Sequence, residues 1–490
     1  MVATANFLAV DLGAESGRAM LGRFDGERLS LAEVHRFPNQ PVRLPDGLHW
    51  DVLNIWASIK QGIAAAAADQ PLSVGVDTWG VDFGLLDDQG ALIGNPYHYR
   101  DSRTDGLVEV AFDQVGQAAI FEQTGIQFMP INSLYQLLAL VRSQSPALHS
   151  ARTFLTMPDL FNYWLTGRKV SEFTIATTTQ CYDPRRGGWA THLMEQLGIP
   201  TEIFPEIVPP GTVLGDLQPA LAAEIGIPAF PVITPACHDT GSAVAAVPAK
   251  TENFAWISSG TWSIMGALTP APVINAASLA ANMTNEGGTD GRFRFSRNVM
   301  GLWLVQECLR TWAGAGDVYT YDDLTRMAAA ALPFSAVLNP DAPQFLPPGD
   351  MPSRIHQFCQ ATHQPTPADK GALVRCILES LALKYRWVLA QLETILGYRL
   401  DPVHIVGGGT QNRLLCQFTA DATGRVVIAG PVEATAYGSL IIQMVARGDL
   451  ASLAEGRELV RRSTDVQTYA PIADRDAWDV AYARLLALGV

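Results

Sequence analysis

Near its N-terminus the chain alternates apolar runs with glycine turns, a pattern that predicts antiparallel strands. Residues 7–24 (FLAVDLGAESGRAMLGRF) form two apolar runs around a turn, and residues 25–37 add a third strand after an Asp-Gly pair. Apolar residues at helical spacing then predict a helix over residues 52–69. Residues 72–94 return to a strand pattern, which is interrupted at Trp79-Gly80. This part of the chain therefore reads as a mixed α/β unit.

The pattern changes twice before the middle of the chain. It is mostly helical from Thr104 to Leu165, and loop residues dominate from there to about Ala229. Residues 230–248 (FPVITPACHDTGSAVAAVP) then predict a buried strand, a loop and a helix of small residues. Asp239 stands where that helix begins, either as a cap of the helix or as a group that accepts a proton.

A second unit with a similar start follows Lys250. Residues 254–268 (FAWISSGTWSIMGAL) predict strand, glycine turn and strand, and they align with the N-terminal hairpin when Gly260 is matched to Gly13. Residues 402–430 predict a strand, a glycine loop, a helix and a further strand, and residues 433–448 predict another helix. We place the domain boundary between Ala245 and Glu252, which gives two α/β domains, 1–248 and 249–490, facing each other across a cleft.

Composition and charge narrow the class of protein. The chain has 490 residues, of which 48% are hydrophobic and 17% charged, whereas an average soluble protein has about 25% charged residues. The net charge of −14 argues against a nucleic acid or an anionic membrane surface as partner. No signal peptide or membrane span is predicted, so we expect a cytoplasmic enzyme. Nothing in the sequence determines an oligomeric state.

The cysteines do not indicate a metal site. Six cysteines are scattered without a CxxC pair, so neither a zinc site nor a disulfide scaffold is predicted. Cys359 and Cys376 flank a loop and could form a disulfide, but free thiols fit a cytoplasmic protein better.

The two glycine-turn hairpins are candidate phosphate sites. A glycine turn lets backbone N–H groups converge on phosphate oxygens, and Arg18 adds charged donors. Either hairpin alone favours an ordinary turn, but two at corresponding positions favour a nucleotide held from both sides. The loop IVGGGTQN (405–412) has neither the GxGxxG spacing nor a P-loop pattern, and it is either a ligand loop or a tight strand–helix connection.

Other polar residues remain ambiguous from their pattern. The turn from Asp77 to Gly80 favours a functional role, because glycine within a strand often marks the approach of a ligand. Asp101 and Arg103 fit an orienting ion pair or a solvated loop. Asn298 and Gln306 are either satisfied core amides or ligand contacts.

Taken together, these segments resemble the FGGY family of carbohydrate kinases, within the actin-like ATPase superfamily. The resemblance covers nearly the whole chain and rests on VDLGAESGR, DTWGVDFGLLD, YRDSRTDG, QFMPINSLYQL, MPDLFNYWLTG, CHDTGSAVAAVP, SSGTWSIMG, NEGG, NVMGLWLVQ, HIVGGGTQN and AGPVEATAYG. It implies two ribonuclease H-like domains: residues 1–248, which bind mainly the sugar and carry the base, and residues 249–490, which bind mainly ATP.

The resemblance also implies site residues. Asp239 is the catalytic base, and Asp11 holds Mg²⁺ through water. The sugar contacts are Gly80, His238, Asp239, Thr240 and Asn298. The ATP contacts are Ala14, Glu15, Ser16, Gly17, Arg18, Thr261, Gln306 and Gly408. Two positions are unusual for the wider family: Ala14 stands where many members carry Thr, and Glu15 puts an acidic residue in the phosphate turn, where we expect its side chain to point away.

The implied reaction is phosphorylation by ATP of a small-molecule sugar. The His-Asp-Thr segment at residues 238–240 most resembles the members that convert L-rhamnulose to L-rhamnulose 1-phosphate in L-rhamnose catabolism. A kinase for fuculose, xylulose or another polyol is the nearest alternative. A further alternative is a non-catalytic actin-like protein that binds sugar or nucleotide, but a retained base at Asp239 argues against it.

Overall fold

The structure is a computed structural model, and it describes residues 4–472 and 475–489. The chain forms two compact units. The first contains Met1–Pro248, Leu268–Phe295 and Ala434–Thr464, and the second contains Ala249–Ala267, Ser296–Glu433 and Asp465–Val490. These units differ from a contiguous division at residue 248, because two later segments belong to the first unit. The division into domains 1–248 and 249–490 stays a prediction.

The strands of the described chain are short, and most lie in two larger sheets. They are β1 Ala5–Leu12, β2 Ser16–Phe24, β3 Leu29–Pro38, β4 Pro41–Leu44, β5 Gly47–Trp50, β6 Val74–Thr78, β7 Phe83–Leu86, β8 Thr153–Thr156, β9 Ser171–Glu172, β10 Tyr182–Asp183, β11 Gly188–Trp189, β12 Ile207–Val208, β13 Val213–Asp216, β14 Pro231–Ile233, β15 Ala255–Ser259, β16 Trp262–Thr269, β17 Thr284–Gly287, β18 Phe293–Met300, β19 Val403–Val406, β20 Val427–Ala429 and β21 Gln467–Tyr469.

The helices of the described chain flank these sheets. They are α1 Val52–Ala65, α2 Leu107–Val115, α3 Gln117–Thr124, α4 Ser133–Arg142, α5 Pro146–Ser150, α6 Met157–Thr166, α7 Phe173–Ala176, α8 Thr191–Gln196, α9 Pro219–Ile225, α10 Asp239–Ala245, α11 Ala276–Ala280, α12 Trp303–Gly314, α13 Tyr321–Ala330, α14 Met351–Ala361, α15 Lys370–Leu396, α16 Arg413–Thr423, α17 Ala434–Arg447, α18 Leu453–Ser463 and α19 Arg475–Ala487. Short 3-10 helices lie at Ala67–Asp69, Ser102–Thr104, Thr177–Thr179, Pro343–Phe345 and Gly408–Gln411.

The first unit is built on a six-stranded sheet with the order β13-β14-β6-β1-β2-β3. β1, β2 and β3 pair antiparallel, as their alternation predicted, and β6 joins β1 in parallel. α1 packs against β2 and β3, and α17 packs against β1 and β6. This packing of α17 is the reason that Ala434–Thr464 belongs to the first unit. The central strands are buried because helices cover them.

The second unit repeats the start of this arrangement. β15 and β16 form an antiparallel hairpin, and β19 joins β15 in parallel, as β6 joins β1. β20 pairs parallel with β19, and β21 pairs antiparallel with β20. The long helix α15 packs against α13 and α16. The internal repeat seen in the sequence therefore corresponds to two hairpins with the same pairing to a following parallel strand.

Most predicted elements are present, with shorter bounds. The helix expected over residues 52–69 ends at Ala65 and continues as a 3-10 turn. The helical region 104–165 contains one strand, β8, which pairs with β7. None of the helices in the described part of the chain has the length and apolar character of a membrane span.

Candidate active site

Asp239 is the first residue of α10, and close packing determines where that helix lies. His238 occupies the N-cap position, so Asp239 is not the N-cap residue. α10 packs on α17, and Gly438 of α17 faces Ser242. A Cβ added at Gly438 would lie 1.8 Å from the carbonyl oxygen of Ser242. The small residues seen in the sequence therefore let the two helices approach closely.

One oxygen of the Asp239 carboxylate is held by neighbouring donors. Oδ1 accepts hydrogen bonds from the backbone N–H of Thr240 at 2.5 Å and from its hydroxyl at 3.2 Å, and it lies 3.4 Å from Nε2 of His238. Within residues 4–472 and 475–489, no hydrogen bond reaches the other oxygen, Oδ2. The side chain is 30% exposed. Oδ2 is thus left for a donor from outside the protein.

Asp11 and Asp77 place two more carboxylates near Asp239. They are direct neighbours on the parallel strands β1 and β6. Burial raises the pKa of Asp239, His238 opposes that rise, and the charge of Asp11 adds to it. Burial also raises the pKa of Asp77 well above its usual range, and the charges of Asp11 and Asp239 add to the effect. Three carboxyl groups therefore lie close together, and their mutual repulsion favours a proton or a cation at the site.

Arg18 supplies a positive charge at the edge of this cluster. Its Nη2 lies 2.5 Å from Oδ2 of Asp11, so one oxygen of that carboxylate is already occupied. Among the residues that the structure describes, none makes a hydrogen bond of ordinary geometry to either oxygen of Asp77, although the Ser439 hydroxyl lowers its pKa. In the part of the chain that is described, no group of three or more His, Cys, Asp or Glu side chains is arranged to hold a metal ion directly.

The turn between β1 and β2 holds the predicted phosphate contacts 14–18. The Gly13 N–H donates to the carbonyl of Ser16 at 3.0 Å, which closes the turn. Asn39 braces it, because its side-chain amide donates to the carbonyl of Gly13 at 2.9 Å and its backbone N–H donates to that of Glu15 at 2.9 Å. Glu15 is the exposed residue of the turn. The sequence did not single out Asn39.

Two buried carboxylates fix the backbone just before Asp239. Oε2 of Glu172 accepts from the Thr174 hydroxyl at 2.5 Å and from the Cys237 N–H at 3.0 Å, and the His238 N–H donates to Thr174 Oγ1 at 3.1 Å. Asp159 in turn accepts from the N–H of Glu172 at 3.1 Å. Burial raises the pKa of Asp159 to about 7 and that of Glu172 to about 8.

Gly80 lies in a strained turn. The next residue, Val81, has φ of 68°, a left-handed conformation that a β-branched residue rarely adopts. Its N–H donates to Thr178 Oγ1 at 3.2 Å, and its carbonyl accepts from the Ser133 hydroxyl. A Cβ at Gly80 would lie 3.2 Å from the same Thr178 oxygen. Strain of this kind persists where the surroundings hold a functional segment in place.

The side chains of Asp101 and Arg103 are largely buried, although Ser102 between them is exposed. Arg103 Nε lies 3.8 Å from Asp101 Oδ1, and both side chains are largely buried, so the solvated-loop alternative is wrong. Nearby, Asp82 accepts hydrogen bonds from the indole N–H groups of Trp50 at 2.6 Å and Trp79 at 2.9 Å. Burial raises the pKa of Asp82 to about 6.

In the second unit, two predicted nucleotide contacts, Thr261 and Gly408, lie near the end of β15. Gly407 and Gly409 pack on Ser259, and a Cβ at Gly409 would lie 2.0 Å from its hydroxyl. Gly408 is exposed, and a Cβ there would have no atom within 4 Å. The Thr261 carbonyl accepts the Trp303 N–H at 3.1 Å, which ties the hairpin turn to the start of α12.

The amide residues of that unit are only partly buried. Gln306 lies in the first turns of α12, and its buried Oε1 has no hydrogen bond within the described chain. Asn298 lies on β18 with an intermediate exposure. The structure thus places Asp11, Ala14–Arg18, Gly80 and His238–Thr240 in the first unit and Thr261, Asn298, Gln306 and Gly408 in the second.

Comparison with known proteins identifies the family of the chain. Residues 6–246 match the N-terminal domain, and residues 255–447 the C-terminal domain, of the FGGY family of carbohydrate kinases. The chain belongs to this family. It is a carbohydrate kinase, and the alternative of a non-catalytic binding protein is wrong.

Two relatives of this FGGY kinase carry the same name. It is 44% identical to a rhamnulokinase of Bacteroides thetaiotaomicron, over 97% of this chain and 98% of the relative. It is 42% identical to a rhamnulokinase of Oceanobacillus iheyensis, over 95% of this chain and 98% of the relative.

Solved structures agree on the fold of this FGGY kinase. A xylulose kinase of Lactobacillus acidophilus matches with a TM-score of 0.80 at 15% identity, covering 99% of this chain and 97% of that one. A glycerol kinase of Plasmodium falciparum matches with a TM-score of 0.75 at 17% identity, covering 99% and 98%. The predicted fold class, α/β with two sheet-containing domains of the actin-like ATPase type, is confirmed.

Proposed function

We propose that this FGGY kinase transfers the γ-phosphoryl group of ATP to L-rhamnulose and forms ADP and L-rhamnulose 1-phosphate. The observation that carries the proposal is Oδ2 of Asp239, a carboxylate oxygen that receives no hydrogen bond from the described residues and stands on a helix start fixed by buried residues. The rhamnulokinase names of relatives that match nearly the whole chain support the choice of sugar. Cytoplasmic location remains a prediction.

Asp239 acts as general base in this proposal. Oδ2 takes the proton of the O1 hydroxyl of the sugar as that oxygen attacks the γ-phosphorus, and the bond from phosphorus to the β-phosphate oxygen breaks. The raised pKa of Asp239 supports this role, because a carboxylate with a higher pKa binds the proton more strongly.

The other site residues bind and orient the two substrates. The sugar contacts are Gly80, His238, Thr240 and Asn298. The ATP contacts are Ala14, Glu15, Ser16, Gly17, Arg18, Thr261, Gln306 and Gly408. The exposed Gly408 and the buried Gln306 oxygen without a hydrogen bond support ligand contact in the second unit.

The residues present fit a hydrated Mg²⁺ rather than a directly chelated one. Asp77 is fully buried and makes no hydrogen bond of ordinary geometry within the described residues, and its repulsion with the neighbouring Asp11 favours a cation between them and a ligand. No direct chelate exists in the described residues, and Mg²⁺ usually keeps several waters. Asp11 would hold the ion through water, with one oxygen already paired to Arg18. When bound, Mg²⁺ neutralises charge on the transferred phosphoryl group.

The proposal is tested by measuring ADP release with Mg·ATP and a panel that includes L-rhamnulose, L-fuculose, L-xylulose and glycerol. We expect L-rhamnulose to give the highest kcat/KM. Faster turnover of another member of the panel would refute the choice of sugar.

The role of Asp239 is tested with the variant Asp239→Asn. It should keep ATP binding, measured by calorimetry, and lose phosphoryl transfer by about 10²–10⁴-fold, the usual contribution of a general base. Asp88→Asn, at an exposed position, is the matched control and should behave like the wild type. Normal turnover by Asp239→Asn would show that another group takes the proton.

A further inference from the structure

His238 is held from both sides by the protein. Its backbone N–H donates to Thr174, and its ring is 8% exposed. One ring nitrogen, Nε2, lies 3.4 Å from Oδ1 of Asp239. The other, Nδ1, faces Arg294 and Glu286, two residues that the sequence reading did not connect with the site.

Arg294 and Glu286 form a buried ion pair against Nδ1. Nη2 of Arg294 lies 2.9 Å from Nδ1 of His238 and 3.1 Å from Oε2 of Glu286. Oε2 of Glu286 lies 3.2 Å from the same Nδ1. Nε of Arg294 donates to the carbonyl of Gly287 at 2.8 Å, which orients the guanidinium plane. Arg294 is completely buried, so its position is determined by these contacts rather than by solvent.

The chemistry of the guanidinium decides where the proton of His238 resides. Arginine has only N–H donors and no acceptor, so a nitrogen that receives its hydrogen bond must present a lone pair. Nδ1 of His238 is that nitrogen, and the proton of the neutral ring is then on Nε2. The alternative is a proton on Nδ1 that faces Glu286 at 3.2 Å. That N–H would then oppose the N–H of Arg294, which lies closer, at 2.9 Å.

The location of this proton determines the hydrogen bonding of Asp239. An N–H on Nε2 lies on the side of the ring that is 3.4 Å from Oδ1, the oxygen that already accepts both donors of Thr240. The positive end of that N–H then faces Oδ1, and within the described residues Oδ2 receives no hydrogen bond and is left for a ligand. A proton on Nδ1 would instead put a lone pair of Nε2 against the carboxylate and repel it.

We propose that Arg294, with its charge balanced by Glu286, is a positioning residue that holds His238 in the Nε2–H form and so keeps Oδ2 of Asp239 free for the sugar proton. The catalytic part of this inference rests on the function proposed above. The tautomer itself does not, because it is set in the protein without substrate.

The first test is the tautomer of the wild-type protein, read from two-bond ¹⁵N–¹H correlations of the histidine rings in a ¹⁵N-histidine sample. His238→Gln identifies the signal by its loss. We expect a proton on Nε2 and none on Nδ1. A proton on Nδ1 would overturn the proposal without any need for a variant to fold.

The second test replaces the donor. In Arg294→Met the proton should move to Nδ1 or the ring should become doubly protonated, because Glu286 then faces Nδ1 alone. The double variant Arg294→Met/Glu286→Gln removes both charges and controls for an unbalanced carboxylate. Arg168→Met, at a partly exposed position in the same unit, is the matched control.

Kinetics with Mg·ATP and L-rhamnulose complete the test. Arg294→Met should lower kcat by about 10–10²-fold through misorientation of the base, with little change in the KM for ATP. A folded variant with the wild-type tautomer and wild-type kcat would refute the proposal. If the wild-type protein shows the Nε2–H form and loses it in Arg294→Met but does not phosphorylate L-rhamnulose, the proposed function fails while the assignment of the tautomer stands.

Discussion

The substitution Gly438→Ala is expected to displace the helix that carries Asp239. A Cβ at this position would lie 1.8 Å from the carbonyl oxygen of Ser242, 2.5 Å from its carbonyl carbon and 3.0 Å from its Cα. A relaxed carbon–oxygen contact needs about 3.3 Å, so α10 and α17 must separate locally by about 1.5 Å. The obstructing atoms are backbone, and a change of side-chain rotamer does not relieve the overlap.

The effects on stability and on activity should differ in size. Overpacking of this kind costs about 1–3 kcal/mol, and the gain of about 1 kcal/mol from replacing glycine by alanine within a helix offsets part of it. Ser242 lies only three residues after Asp239 in the same helix, so the base moves with it. A misplacement of about 1 Å at a reacting group lowers the rate by about 10²-fold. We therefore expect a small fall in melting temperature and a large fall in kcat.

The assay is ADP release with L-rhamnulose, together with a thermal unfolding curve for each variant. Gly314→Ala is the matched control, because it replaces a helical glycine whose Cβ would meet no atom within 4 Å. It should keep the wild-type kcat. A folded Gly438→Ala protein that also keeps the wild-type kcat would show that the contact between α10 and α17 does not position the base.

Three further predictions concern other parts of the chain. Gly301→Ala puts a Cβ 2.6 Å from the carbonyl carbon of Trp262. This overlap should shift the turn at Thr261 and raise the KM for ATP by about tenfold. An unchanged KM in steady-state kinetics would contradict the proposed role of that turn. Asp82→Asn should lower the free energy of unfolding by about 1–3 kcal/mol. The two oxygens of Asp82 accept hydrogen bonds from the indoles of Trp50 and Trp79 and from the side-chain amide of Gln136, and an asparagine amide cannot accept all three. Differential scanning fluorimetry will show whether the melting temperature falls. The pKa of Glu172 is raised to about 8, so the folded state binds its proton more tightly than the unfolded state, and the resulting stability is present at low pH and lost as pH rises through 8. The melting temperature should therefore fall between pH 6 and pH 9, and the fall should be shallower in Glu172→Gln; equal slopes for the two proteins would contradict the assignment.

Much of the fold was predictable because its signals are local. The alternation of apolar residues and the glycine turns specify the β1–β2 and β15–β16 hairpins within a few residues of chain. The strand, glycine loop and helix over residues 402–430 were predicted in the same way. The placement of α17 was not, because the helix packs on β1 and β6, strands that lie far away in the sequence.

The residues of the candidate site also differ in whether a local sequence signal indicates them. Asp239 and the phosphate turn stand out in the sequence because their motifs are contiguous. Arg294 did not stand out in the sequence. Its position between two phenylalanines nevertheless indicates a buried charge, which requires a partner. Its partner, the ring of His238, lies in a distant segment of the chain, and the pattern of apolar and polar residues does not indicate contacts between distant segments.

The sequence by itself determined the family, the strand–turn–strand units and the carboxylate at the start of α10, since each depends on neighbours in the chain. Only the tertiary structure decided which oxygen of Asp239 is held, how burial and Asp11 raise its pKa, and how closely Gly438 lets α17 approach. The physical reason is that burial, electrostatic shifts and backbone overlap depend on distances in space, which segments far apart in the chain set together.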